Sequence, residues 1–435
     1  MSLNLEQLCQ VMCKSGADRL YMKRLAPNDN SKNQVYLGPG FEALNVIPNK
    51  GVRDVTTKGS PILRASIDLS WIDEEGKEYP APGAQLILYP QYPEVRMSGF
   101  LRGCSKPPSS IMTSRNIGRV ILFGISSVGK VLAWAGEAGH PVTKELLGLS
   151  GLRQVGVFEE VPLRAIDSQS ILIEELTRIH NKGWIRSKRL RPDGTLAACK
   201  APNCGGYTLE AELGISPNGY SEPDFLGWEV KQHGVSNFAS PYSGSPITLM
   251  TPEPTGGVYQ EEGAEAFVRR FGYSDMRGRP DRMNFGGTFR AGKRAPLTGL
   301  TLVLDGYNSD TQKIDDPSRG ITLIADNDEV AAVWHYSGLI SHWQRKHERA
   351  VYVPSETRTT PEREYRYGSP VLLCVGTDFL RFLKAMASGI VFYDPGIKLE
   401  NATSQRPKLK RRNQFRIKRK QLPVLYALST DMALT

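Results

Sequence analysis

The residues of this sequence best placed to do chemistry lie at positions 206–231, GYTLEAELGISPNGYSEPDFLGWEVK, where carboxylates and a lysine recur at short intervals. Glu210 and Glu212 fall in TLEAELGI, an apolar-periodic piece that reads as a helix stopped by Gly214. A turn-rich passage at 216–223 follows, then Asp224, then an apolar run at 225–231 that reads as a buried strand. Side chains alternate along a strand, so Glu229 and Lys231 point to one side while Trp228 and Val230 face the packed side. Carboxylates crowded on one rim raise each other's proton affinity, and burial adds a desolvation cost. A divalent metal removes that cost.

The order Asp224, then Glu229-Val230-Lys231, with Pro223 before the aspartate, resembles the core of the PD-(D/E)xK nucleases. The wider pattern resembles the MvaI/BcnI group of restriction endonucleases and, more distantly, the MutH mismatch-repair nuclease: GWIRSKR at 183–189, then GYTLEAELGI, then PDFLGWEVK. Further matches at 296–307 (PLTGLTLVLDGY) and 414–426 (QFRIKRKQLPVLY) extend the resemblance over about residues 171–430, leaving the first third of the chain outside it. The resemblance implies an α/β restriction-endonuclease-like catalytic domain with a central mixed sheet. It implies Mg²⁺ held by Asp224, Glu229 and the carbonyl of Val230, with Glu210 serving a second ion or a metal-bound water. Lys231 would orient or help deprotonate the attacking water. The implied activity is hydrolysis of double-stranded DNA at a specific sequence, leaving 5′-phosphate and 3′-hydroxyl ends, by a monomer or a transient dimer on DNA. The alternative is a nuclease of repair or phage defence that acts on command, its specificity coming from the N-terminal domain or another protein. The group carries a His-Gly-Thr-like element on a DNA-reading loop just before the FRI segment, where this chain has Arg411-Arg412-Asn413-Gln414. The target sequence therefore does not transfer.

The elements that must position these residues belong to a chain of 435 residues, long enough for roughly two or three domains. Residues 1–161 read as a mainly β accessory or target-recognition domain, 162–170 as a linker and 171–435 as the catalytic domain. The helix expected from SILIEELTRIHNKGWI (170–185) opens the latter, and LTLVLDGY and AVYVPS supply further strands of its mixed sheet. A net charge of +10 favours a polyanionic partner such as DNA, and no apolar run approaches the roughly 20 residues of a membrane span. The start lacks a basic segment followed by an apolar core, so a cytoplasmic protein is expected.

Basic residues gather in two places. The segment VRRFGYSDMRGRPDRMNFGGTFRAGKR (268–294) includes Arg277, Arg279, Arg282 and Arg290 interleaved with Phe271, Tyr273, Phe285 and Phe289, and its glycines suggest loops that mould to a phosphate backbone. The segment RPKLKRRNQFRIKRK (406–420) includes Arg411, Arg412 and Arg416 without an acid. Both are candidates for DNA binding. His335 and His342 form a further candidate DNA-reading pair, with core packing as the competing reading.

In the N-terminal region, ILRASIDLSWI, AQLILYP and a hairpin of RVILFGI with KVLAWAG read as strands. GISSVGK (124–130) nearly spells a phosphate-binding loop, but Val131 replaces the hydroxyl residue that would hold magnesium, and the following residues suit a strand. The six cysteines do not suggest a disulfide framework, and the C-x4-C pair Cys199 and Cys204 reads as free thiols or half of a zinc site.

Overall fold

The run RAVYVPSETR, rich in residues that favour a pleated backbone, forms the ten-residue strand Arg349–Arg358, on which the largest sheet of the second half of the chain is assembled. A computed structural model describes residues 3–55, 61–163, 168–201, 203–215, 223–240, 242, 244–343 and 347–435. The chain divides into two compact units, Met1–Asp167 and Ser168–Thr435.

In the second unit, Glu229–Gly234 runs parallel to Arg349–Arg358, with Glu229 opposite Ala350 and Gly234 opposite Ser355. Ser355 also pairs with Tyr367, so Glu364–Tyr367 must lie along the other edge of the long strand. Val371–Val375 continues antiparallel along the long strand, and Leu428–Met432 and Ile185–Arg186 extend the sheet to six strands. The sheet is therefore mixed. Among the described residues Glu229–Gly234 pairs with the long strand alone, which leaves its outer edge open.

One face of this sheet is covered by the helix Ser168–Asn181, whose Leu172, Leu176 and Ile179 recur at helical spacing and join Val230, Val351, Val353 and Leu373 in the core. The helix Cys204–Glu212 adds Leu209 to the same cluster and ends at Gly214, where φ is 73°. Glu212 closes this helix onto its surroundings: its nearly buried carboxylate binds Lys188 at 2.5 Å and Lys182 at 2.7 Å.

Several local expectations are corrected. The strand of the motif begins at Glu229, because residues 225–228 make a tight turn in which Phe225 and Trp228 exchange main-chain hydrogen bonds. The turn-rich passage at 216–222 lies outside the described residues. LTLVLDGY contributes Thr301–Leu304 to a separate three-stranded sheet with Gly320–Ile324 and Val330–His335. Cys199 and Cys204 are joined as a disulfide, tying the start of the Cys204–Glu212 helix to the chain just before it.

The first unit is built mostly from strands, in a seven-stranded and a five-stranded sheet. Val120–Ile125 and Lys130–Gly136 form the expected hairpin, so the lysine of GISSVGK opens a strand rather than a phosphate-binding helix. ILRASIDLSWI splits at Ile67 into Leu63–Ser66 and Asp68–Ile72, which enter different sheets. Among the described residues no helix is long and apolar enough to cross a membrane.

Burial alone would raise the affinity of Glu212 for a proton, yet hydrogen bonds from Lys182 and Lys188 hold its pKa below the ordinary glutamate value. Its stabilisation is therefore complete above about pH 4.3, where an unfolded glutamate titrates, and is lost as pH falls through the lower folded value. Because the lysines are partly exposed, Glu212→Gln should cost only about 1.5–3 kcal/mol in urea unfolding at pH 7. The gap from wild type should narrow in acid.

Candidate functional site

Asp224 precedes the tight turn, and its carboxylate oxygen Oδ2 accepts a hydrogen bond from the Val230 N–H at 3.1 Å. A residue's N–H and C=O point to the same edge of a strand. The Val230 carbonyl therefore faces the open edge on the side where Asp224 sits. Val230 sends its side chain into the core with Trp228. Glu229 and Lys231 point the other way, and the Lys231 ammonium meets Glu229 Oε1 at 2.9 Å. Burial alone would lower the pKa of this lysine, but Glu229, then Asp224 and Glu210, raise it above its ordinary value. All three expected carboxylates thus act on one ammonium.

Glu210, Glu229 and Lys231 line a cleft of about 920 Å³, of whose lining Asp224 is not a part. All of Glu229–Gly234 lines it, from both faces of the strand, as an unpaired edge permits. Glu210 reaches it from the Cys204–Glu212 helix, together with Asn203 and Gly206. Another wall is Ile247–Met250, which pairs with Phe415–Ile417 in a second small sheet. His233 and His347 line the interior. Burial pushes His347 down to about 4, so its ring, stacked on Trp343 at 4.3 Å, is neutral at pH 7. His342 also lines the cleft, whereas His335 does not and pairs instead with the Thr255 hydroxyl at 2.7 Å. The expected histidine pair is split.

The basic segments divide in the same way. Arg412, Gln414 and Arg416 line the cleft, and Arg411 is exposed beside them, 3.9 Å from Glu253. Arg416 is held by Asp394 at 2.5 Å and by the Pro246 carbonyl. None of Arg277, Arg279, Arg282 and Arg290 lines the cleft. Arg277 and Arg279 are exposed. Arg282 is nearly buried against Asp275, and Arg290 lies over the Phe392 ring and bonds to the Gly389 carbonyl. This segment is no moulding loop: it comprises the helix Gly263–Phe271 and the strands Tyr273–Ser274 and Arg282–Gly286. Phe271, Phe285 and Phe289 are buried, with Phe285 stacked on Phe289.

Sequence reasoning missed the support beneath the Arg411–Gln414 stretch. Asn413 is 2% exposed and sits between two tyrosines: its carbonyl oxygen accepts from the Tyr393 hydroxyl at 2.5 Å, and its amide donates to the Tyr259 hydroxyl at 3.1 Å. The Tyr259 hydroxyl in turn donates to Glu253. No local signal announces these contacts, since Tyr259 and Asn413 are 154 positions apart.

The model of the MvaI/BcnI restriction endonuclease family matches residues 173–426, more than half of the chain. Among solved structures, the MvaI restriction endonuclease in complex with its cognate DNA substrate is similar over 62% of this chain and 99% of that one, at 18% identity and a TM-score of 0.45. MvaI in the absence of DNA covers the same shares at 17% identity and a TM-score of 0.34. No curated protein matches the sequence.

The tyrosine–asparagine chain generates a stability prediction. Asn413→Ala leaves the buried Tyr393 hydroxyl without its acceptor and should cost about 2–3 kcal/mol in urea unfolding. Adding Tyr393→Phe should cost little more, because the orphaned hydroxyl is then gone. Additive losses in the double variant would show that the two groups are not coupled.

Proposed function

The chain belongs to the MvaI/BcnI restriction endonuclease family and is an endodeoxyribonuclease, and from that premise we propose that it is a magnesium-dependent enzyme that cuts both strands of DNA at a specific sequence, leaving 5′-phosphates and 3′-hydroxyls. The observation that carries the reading is Lys231, bonded to Glu229 and within the field of Asp224 and Glu210, in one cleft with Arg412 and Arg416.

The donor set fits a hard cation. Among the described residues no three His, Cys, Asp or Glu side chains converge as a metal cluster. The set here is instead oxygen-only, two carboxylates and a main-chain carbonyl, which leaves positions for water and phosphate as magnesium prefers. Asp224, Glu229 and the Val230 carbonyl would hold the ion, with Glu210 beside them for a second ion or a water. When bound, magnesium supplies positive charge against the phosphate in an in-line displacement. Lys231 orients the attacking water and steadies charge on the phosphate. Glu229 fixes the ammonium in place through the 2.9 Å contact. Arg411 and Arg412 neutralise backbone phosphates, and Arg277 and Arg279 offer a second exposed set. We further propose that residues 1–161, with a core of their own, help to choose the target.

Purified protein incubated with magnesium and DNA of mixed sequence should give ends of the stated chemistry at a recurring sequence, read by sequencing the ends. Asp224→Ala should lower the cutting rate by roughly a thousandfold or more while DNA binding persists, since a metal ligand and not a phosphate contact is removed. Calcium should support binding without hydrolysis. Magnesium-dependent cutting by the Asp224 variant would end this assignment.

The arginines are separable by salt dependence. Arg411→Ala and Arg412→Ala should each weaken binding and lower the slope of log affinity against log salt by about 1. Arg416→Ala should in addition lower stability, because its partner Asp394 is left behind. An unchanged salt slope in the first two variants would make that run a solvated face.

A further inference from the structure

The turn between Asp224 and Glu229 carries a residue that the fold itself does not favour. Phe225 and Trp228 exchange hydrogen bonds of 2.9 and 2.8 Å across it, and both central residues, Leu226 and Gly227, have positive φ, 46° and 86°. Such a type I′ turn favours Asn-Gly, because asparagine tolerates left-handed backbone. Leucine there brings its Cβ too close to its own carbonyl. Packing does not explain the choice. Trp228 is buried in the core and Phe225 packs against it, whereas Leu226 is 51% exposed. An apolar side chain is thus held on strained backbone, directed to solvent, two positions after one proposed metal ligand and three before the next. With consecutive Cα atoms ~3.8 Å apart, the Leu226 Cα lies within roughly 11 Å of the Glu229 Cα.

We propose that Leu226 is a substrate contact, its side chain packing on the deoxyribose next to the phosphate that is cut. The inference rests on the nuclease reading above. A deoxyribose presents C–H groups at every nucleotide whatever the base, so the contact is sequence-independent and serves to hold the strand in line with Glu229 and Lys231. The leucine leaves water only when DNA is bound, so the local strain is offset in the complex and not in the free protein.

The test uses the full-length protein with magnesium and genomic DNA. Leu226→Asn restores the residue the turn prefers, so the melting temperature should rise by about 2–3 °C while the rate at limiting DNA falls about tenfold. The set of cut sites should not change. Leu226→Met, which keeps the apolar volume, should recover most of the lost rate. An Asn variant as fast as wild type would overturn the contact, and one with a lower melting temperature would overturn the strain argument. Altered cut-site preference would put the leucine against a base and overturn the assignment to the sugar. If the wild-type protein itself does not cut, the nuclease reading fails, an outcome distinct from any of these.

Discussion

The second unit depends on the way Glu229–Gly234 is paired on one edge and open on the other. Parallel pairing with Arg349–Arg358 fixes its register, so that Val230 joins Val351 and Val353 in the core while Glu229 and Lys231 stand on the other face. A slip of one residue would turn the Val230 side chain out of the core and drive a carboxylate and an ammonium into the apolar cluster. The open edge is equally necessary. It turns the Val230 N–H and carbonyl outward, and an exposed edge of this kind is ordinarily a liability for unwanted strand pairing. Here the Asp224 carboxylate takes the N–H, and the walls of the cleft flank the edge.

Electrostatics follows from that placement. Glu229 and Lys231 are both largely removed from water, and each offsets the desolvation of the other at 2.9 Å. Elsewhere the excess of basic residues is less available than the net charge suggests. Arg282, Arg416 and Arg419 are tied to Asp275, Asp394 and Asp431, contacts that hold hairpins and short strands together. Charge that holds the fold and charge that can meet a polyanion are interleaved along the same segments. A count of arginines cannot separate them, and only the pairing does.

That distinction explains what the sequence could and could not reveal. The Cys204–Glu212 helix, its stop at Gly214 and the shared face of Glu229 and Lys231 rest on local periodicity, and the structure has all of them. The turn at 225–228 was hidden because Leu-Gly is not a turn signal and the residues around it are apolar. Phe271, Phe285 and Phe289 alternate with arginines as on a nucleic-acid surface, but Phe285 packs on Phe267 and Phe289 on Tyr393, partners that no local pattern discloses. The Thr301–Leu304 strand was rightly apolar and wrongly assigned, since periodicity gives a strand without saying which sheet it enters. The disulfide between Cys199 and Cys204 replaces the free thiols or zinc half-site that their number and spacing suggest.

Asn413 shows how a segment rich in exposed charge can nevertheless have a fixed path. Alternation along Arg412-Asn413-Gln414 puts Asn413 inward and its two neighbours toward the cleft. The inward amide is held from two sides by tyrosine hydroxyls, one on Phe392–Tyr393 and the other on the helix Val258–Glu261. Long side chains on mobile backbone would lose conformational entropy whenever they met a ligand, whereas a pinned backbone limits that loss to the side chains themselves. Arg412 and Gln414 can therefore change in identity without disturbing the support, while a change at Asn413 alters the support for both. The cleft-facing side chains of Arg412 and Gln414 thus ride on a backbone held by the buried Asn413 amide and by main-chain hydrogen bonds from Gly396 and Asp394.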